Sequence, residues 1–206
     1  MTKPVSDIAF TPSVKAVQTR LGSRQHYAHM EEGDGWSDRI TRELADFLRN
    51  RDSLYLATAS RDGRPYIQHR GGPKGFLNVL DNQTLAFADF KGNRQYISVG
   101  NLSENNQAFL FLMDYSTQTR IKIWGTAEVI EDDPDLLSNV TDLRYKGKPE
   151  RVIRFRVEAW DSNCRQHIPI KYSQEDVEAI VQPIRDRLAA LEVENAALKR
   201  QLPGSE

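Results

Sequence analysis

Apolar residues recur every three or four positions before residue 53 and every second position after it, so the chain predicts helices first and a sheet afterwards. Thr11-Pro12 reads as an N-cap followed by proline at the first helical position. Val14, Val17 and Leu21 lie on one face, and Gly22 ends the helix. Residues 23–36 carry no periodicity and are expected to be loop. Ser37 is expected to cap a second helix whose Ile40, Leu44, Phe47 and Leu48 form an apolar stripe. Strands are predicted at 54–59 and 65–70 around an Arg61-Asp62-Gly63 turn, then at 76–80 and 84–90 beyond the break Gly71-Gly72-Pro73.

A short helix is expected at 95–102, with Tyr96, Val99 and Leu102 at helical spacing. The wholly apolar run 108–113 predicts a strand covered on both faces. In 120–130, Ile121, Ile123 and Val129 face one way and Arg120, Lys122 and Trp124 the other. Asp133-Pro134 starts a helix bearing Leu136, Val140 and Leu143. In the last strand Ile153, Phe155, Val157 and Ala159 alternate with Arg154, Arg156, Glu158 and Trp160. Strands at hairpin spacing with only short helices between them predict a mainly β, α+β chain, an antiparallel barrel rather than a doubly wound sheet. The expected division is a domain at 1–170 and a helical tail at 171–206.

The tail has its own pattern. Ser173 and Asp176 form a capping box, and Pro183 is expected to kink or restart the helix. Val181, Ile184, Leu188, Leu191, Asn195, Leu198 and Leu202 then step by three and four, as the a and d positions of a heptad repeat do. The expectation is a coiled-coil pairing with a second copy; the alternative is an amphipathic helix lying on its own barrel.

Composition narrows the function. Lys and Arg number 28 against 29 Asp and Glu, which gives no general attraction to nucleic acid or to an anionic membrane. A single cysteine, Cys164, excludes an internal disulfide framework. No signal peptide or membrane-length apolar run is evident, so the expectation is a cytoplasmic protein.

Any anion site must therefore be local, and Lys91-Gly92-Asn93-Arg94 is the candidate. It joins a predicted strand to a predicted helix, with Gly92 for the turn and Asn93 as the expected N-cap. A strand, a tight turn, a helix start and two cations suit a phosphate, with Arg94 as the bidentate grip. The plainer alternative is a solvated basic turn. Lys74, His69, Arg70 and Arg120 stand at strand ends or on a mixed strand face, and Trp124 and Tyr96 could wall a flat ligand. The pairs Cys164/His167 and His26/His29 have ligand-like spacing, but nothing in the sequence brings them together, and no metal site is expected. Glu31-Glu32 and Asp132-Asp133 read as solvated or capping acids.

The segment 57–129 resembles the pyridoxamine 5′-phosphate oxidase-related flavoproteins, which have an FMN-binding split-barrel fold. The likeness is carried by Asp62-Gly63-Arg64-Pro65-Tyr66 and by the run from Gln68-His69-Arg70 through Gly71-Gly72-Pro73-Lys74-Gly75-Phe76. It continues through Leu85 to Arg94, Asn101-Leu102, Glu104-Asn105, and Arg120 to Gly125. The resemblance implies an FMN phosphate held by Lys91, Asn93 and Arg94, with Gln68, His69 and Arg70 beside the flavin. It further implies Lys74 near the phosphate or ring edge, backbone contacts from Ala88 and Asp89, and a flavin contact from Arg120. Members are typically homodimers with FMN at the interface.

Two departures bear on substrate. Pyridoxamine phosphate oxidases carry an Arg-x-His substrate motif near their end, whereas this chain passes through Asn163-Cys164-Arg165-Gln166-His167 into a helix, which argues against a vitamin B6 phosphate. One branch has Cys-Pro where this chain has Cys164-Arg165, so no role falls to that cysteine. The expectation is an FMN-dependent oxidoreductase acting with a small-molecule substrate or electron donor, and no residue stands out as catalytic acid or base. A non-catalytic flavin- or haem-binding sensor is the alternative, and an apo scaffold with a basic rim is a third.

Overall fold

The computed structural model describes residues 3–32, 35–162 and 165–201. It divides into two units, Met1–Asp114 with Thr119–Arg165, and Tyr115–Gln118 with Gln166–Glu206.

Among the described residues, the first unit holds one antiparallel sheet of seven strands. They are β1 (Ser53–Ala59), β2 (Pro65–Gly71), β3 (Asn78–Val79), β4 (Thr84–Phe90), β5 (Gln107–Asp114), β6 (Thr119–Ile130) and β7 (Pro149–Ser162). Their spatial order is β2-β1-β5-β6-β7-β4-β3, and no pairing joins the edge strands β2 and β3. The sheet is therefore open, and the expected split barrel is corrected to an open antiparallel sheet with helices. Closure needs two long edges brought into staggered register. Here β3 keeps only two residues of the expected 76–80 run. The Phe76 amide is spent on a turn to the Pro73 carbonyl (2.9 Å), and the Leu80 amide on the Thr84 carbonyl (2.9 Å).

The sheet buries one face against α3 (Arg42–Arg49), whose Leu44 and Leu48 meet Leu54 and Leu56 of β1, Phe87 of β4 and Phe155 of β7 in one cluster. Each such buried side chain contributes roughly 1.5–3 kcal/mol. The opposite face of β4 is covered too. Ala86 and Ala88 pack with Val140 and Val152, and Leu136 and Leu137 of α5 (Pro134–Asn139) lie against them. That double cover explains the apolar run at 85–88 of β4. The similar run in β5 alternates instead: Ala108, Leu110 and Leu112 are buried, while Phe109, Phe111 and Met113 are half-buried.

The N-terminal helices depart from the reading of the sequence. α1 (Pro12–Arg20) is capped as expected, the Val14 amide donating to Thr11 Oγ1 at 3.3 Å, but Val14, Val17 and Leu21 are exposed. The stretch expected to be loop contains α2 (Arg24–Glu32). This helix lacks an apolar stripe and is tied down by polar contacts: Arg24 pairs with Glu31 and reaches Gln18 Oε1 at 2.8 Å, and Lys15 lies 3.6 Å from Glu31. Glu31 is thus a partnered acid rather than a solvated one, and the Arg24 hydrogen bond holds its carboxyl below the ordinary range. α3 starts later than expected, at Arg42. Thr41 is its N-cap, accepting from the Leu44 amide, and Ser37 instead accepts from the Arg39 amide at 3.0 Å.

In the second unit α6 (Gln174–Gln201) runs through Pro183 without the expected restart. The capping box is present: the Asp176 amide donates to Ser173 Oγ at 3.0 Å, and the Ser173 amide to Asp176 Oδ2 at 2.9 Å. Position 202 lies outside the described residues. No helix among the described residues is long and apolar enough to cross a membrane.

Candidate functional site

β4 ends at Phe90, and the chain then crosses Lys91 to Gln95 to reach α4 (Ile97–Glu104). α4 begins two residues later than expected, and its N-cap is Tyr96, in a left-handed conformation (φ 55°), with no side-chain cap. Asn93 is thus not the N-cap; its Oδ1 accepts from the Gln95 amide at 3.3 Å and shapes the loop. Arg94 also has positive φ, at 60°. Two non-glycine residues in this region within three positions mark a strained segment held by its surroundings.

An open cleft of about 280 Å³ lies against this loop. It is lined from β2 by Tyr66, Gln68, His69 and Arg70, from β4 by Ala88 and Asp89, and from the loop and α4 by residues 92–99; Glu150 of β7 completes it. Of the residues singled out in the sequence, Gln68, His69, Arg70, Ala88, Asp89, Asn93 and Arg94 meet here, with Tyr96 as one wall. Lys91, Lys74, Arg120 and Trp124 are not among the lining residues. Lys91 is exposed, its amide bonded to the Lys148 carbonyl at 2.8 Å. Lys74 lines a separate recess with Pro73, Asn78 and Asp142. Arg120 is half-buried on β6 opposite Met113, its Nε without a partner among the described residues. Trp124 stacks on Trp36 with centroids 4.8 Å apart, so it walls no flat ligand in this cleft.

Charge in the cleft is arranged in two layers. Beneath, Asp89 is buried between Arg70 (Nη1–Oδ1 2.6 Å) and Arg151 (Nε–Oδ2 3.7 Å). Arg151 also reaches Glu131 at 2.9 Å and Glu150 at 3.2 Å, and its guanidinium lies 5.1 Å from the centre of the Tyr96 ring. Burial pushes the Asp89 carboxyl above its ordinary value, outweighing the downward pull of Arg70 and Arg151.

Above this layer, Arg94 Nε donates to Tyr96 Oη at 3.0 Å. That hydrogen bond raises the guanidinium's pKa, so Arg94 is cationic throughout the working range. Among the described residues no carboxylate forms an ion pair with it. Ser98, only 3% exposed, also lines the cleft, and its Oγ has no hydrogen-bond partner among the described residues. An uncapped helix start, an oriented arginine held in no contact ion pair and a buried hydroxyl without a hydrogen-bond partner among the described residues form a set suited to an oxyanion, although the Glu150 carboxylate acts on Arg94 through space.

Arg151, Glu150 and Ser98 were not anticipated. Arg151 enters through the β4–β7 pairing, in which Asp89 faces it across 62 positions of chain, and no local pattern announces such a partner. The signal available for Ser98 was its place in the first turn of the helix after the anion loop. The His26/His29 pair lies on α2, and Cys164 lies outside the described residues. No group of three metal-ligating side chains exists among the described residues.

A family model described as pyridoxamine 5′-phosphate oxidase matches residues 40–164, more than half of the chain. The chain belongs to this family. No curated protein matches the chain. Among solved structures, a variant of HupZ from Group A Streptococcus is 21% identical, with 60% of this chain and 99% of that chain covered and a TM-score of 0.49. A candidate pyridoxamine 5′-phosphate oxidase of Lactobacillus delbrueckii is 23% identical, with 60% and 94% covered and a TM-score of 0.47. An FMN-binding protein from Syntrophomonas wolfei is 15% identical, with 71% and 97% covered and a TM-score of 0.45. Membership rests on the family match. Arg165-Gln166-His167 lies just beyond the matched residues and has the Arg-x-His spacing.

Proposed function

We propose that the cleft is the phosphate end of an FMN site and that the protein is an FMN-dependent oxidoreductase of a small-molecule substrate. The observation that carries the reading is Arg94, oriented by Tyr96 and in no contact ion pair among the described residues, at the start of an uncapped helix. The residues fit the group. Arg94, Asn93 and the first turn of α4 would hold the phosphate, with the Ser98 hydroxyl as a further donor. Gln68, His69 and Arg70 along β2 and the Ala88 and Asp89 backbone would run beside the ring. Bound FMN would supply electron and hydride transfer, while the protein fixes the ring and sets its electrostatic surroundings.

A cleft of about 280 Å³ lies at the small end of ligand pockets, which span roughly 300–1,000 Å³, and it is open on one side. That size supports a homodimer in which a second chain provides the other wall. In this reading Lys74 and Arg120, outside their own chain's cleft, contact the partner's flavin, and Lys91 adds charge near the phosphate. A cytoplasmic location belongs to the same reading. A second reading, a non-catalytic flavin or haem sensor, is favoured by one observation: both carboxylates of the cleft, Asp89 and Glu150, are committed to arginines. Turnover of reduced flavin with a substrate supports the enzyme; reduced flavin that merely persists supports the sensor.

Arg94→Ala tests the phosphate assignment. Arginine and alanine bear the same left-handed backbone strain, so the comparison reads the guanidinium alone. FMN affinity should fall about tenfold or more, the loss expected of one charge-assisted contact. Riboflavin, which has no phosphate, should bind as before. Equal weakening of both ligands would remove the assignment.

A further inference from the structure

α6 leaves an apolar row uncovered along its length. Every residue from Gln174 to Arg200 is exposed except Val181, which is half-buried. Within that exposed helix Val177, Ile184, Leu188, Leu191 and Leu198 are 46%, 64%, 56%, 42% and 54% exposed. With Val181 and Asn195 they occupy positions d, a, d, a, d, a, d of three heptads, one turn further upstream than the sequence pattern alone suggested. Because the helix does not restart at Pro183, the row is one continuous seam about 32 Å long from Val177 to Leu198. Pro183 falls at position c, on the outward side, where its ring meets no partner.

We infer that this seam is an interaction surface for a second copy of the same chain, forming a parallel, in-register, two-stranded coiled coil. Self-pairing is favoured by charge. In a parallel dimer each g position faces the e position five residues on in the partner. That sets Arg187 against Glu192 and Glu194 against Lys199, opposite charges in both cases and each formed twice by symmetry. Asn195 selects the orientation. In register, the two Asn195 amides meet each other and can bond across the seam. An antiparallel coil packs a against d and would set each amide against a leucine. A helix exposed on every side has little to stabilise it alone, and burying the seam supplies the missing term. The inference does not rest on the flavin reading, because the seam and the cleft share no residue.

The test uses the full chain with Cys164→Ser, to which either Leu198→Cys at d or Val193→Cys at f is added. Under mild oxidation Leu198→Cys should form a disulfide-linked dimer about tenfold or more faster than Val193→Cys, since only the d sulfurs are held within bonding reach of their own copy. Adding Leu188→Lys and Leu191→Lys should slow Leu198→Cys to the Val193→Cys rate. Equal rates at the two positions, no cross-linking at either, or cross-linking that survives the lysines would each overturn the inference. Flavin binding by these variants should match the unmodified chain, which keeps this test separate from that of the cleft.

Discussion

Gly125→Ala is expected to cost the protein about 3 kcal/mol or more, enough to remove a large part of the stability of an ordinary domain. Gly125 lies on β6 at a register shift, between Ala108 of β5 and Val157 of β7. A Cβ there would sit 1.9 Å from the Arg156 carbonyl oxygen and 2.8 Å from the Phe155 ring. Neither neighbour can yield. The carbonyl belongs to β7, and Phe155 is fully buried in the main cluster. Gly92→Ala is the control, because none of the described residues lies within 4 Å of its added Cβ. It should stay within about 0.5 kcal/mol of the wild type. Urea unfolding followed by circular dichroism measures both; equal midpoints for Gly125→Ala and the wild type would refute the close approach of β6 and β7.

The second large effect is at Asp89. Asp89→Ala should cost about 3 kcal/mol, the low end for removing one partner from a buried ion pair. Arg70 would lose the carboxylate 2.6 Å away, and its Nε already lacks a partner among the described residues. Arg151 would suffer less, since Glu131 and Glu150 remain to it. Asp89→Asn keeps an acceptor oxygen and should cost less. The pH dependence separates charge from shape. Burial raises the folded-state value of Asp89 above the ordinary 3.8, so the native chain holds this proton more tightly than the unfolded one. The stability linked to that proton is present below 3.8 and is lost as pH rises through the raised value. The wild type should therefore lose stability relative to Asp89→Asn as the pH is raised from below 3.8 to neutrality; the opposite trend would mean that the arginines outweigh burial.

How far the sequence could be read depended on the range of the interaction responsible. Strands announced by local alternation, such as the Ile121/Ile123 face of β6 and the Phe155/Val157 face of β7, stand where the periodicity put them. The caps at Thr11 and Asp133 depend on residues three positions apart and were equally legible. Closure of the sheet was not, because it depends on whether β2 and β3 meet, and a two-residue β3 is decided by turns at Phe76 and Leu80. α2 was missed because polar ties from Arg24 and Lys15 replace the apolar stripe that periodicity detects. In the site, the loop and its cations were visible as a local motif. Asp89 was visible too, but its partner Arg151 and the neighbouring Glu150 arrive through strand pairing and were not. Trp124 shows the converse error: it has the chemistry of a ligand wall but is occupied by Trp36 and Phe109.

The central claim is that the cleft holds FMN, and the most direct measurement is to identify what the purified protein carries. The protein should be yellow, and denaturing it should release FMN, recognised by mass and absorption, approaching one molecule per chain; protein isolated empty should take up added FMN to the same ratio. Protein that releases no flavin and does not bind FMN when titrated with it contradicts the account.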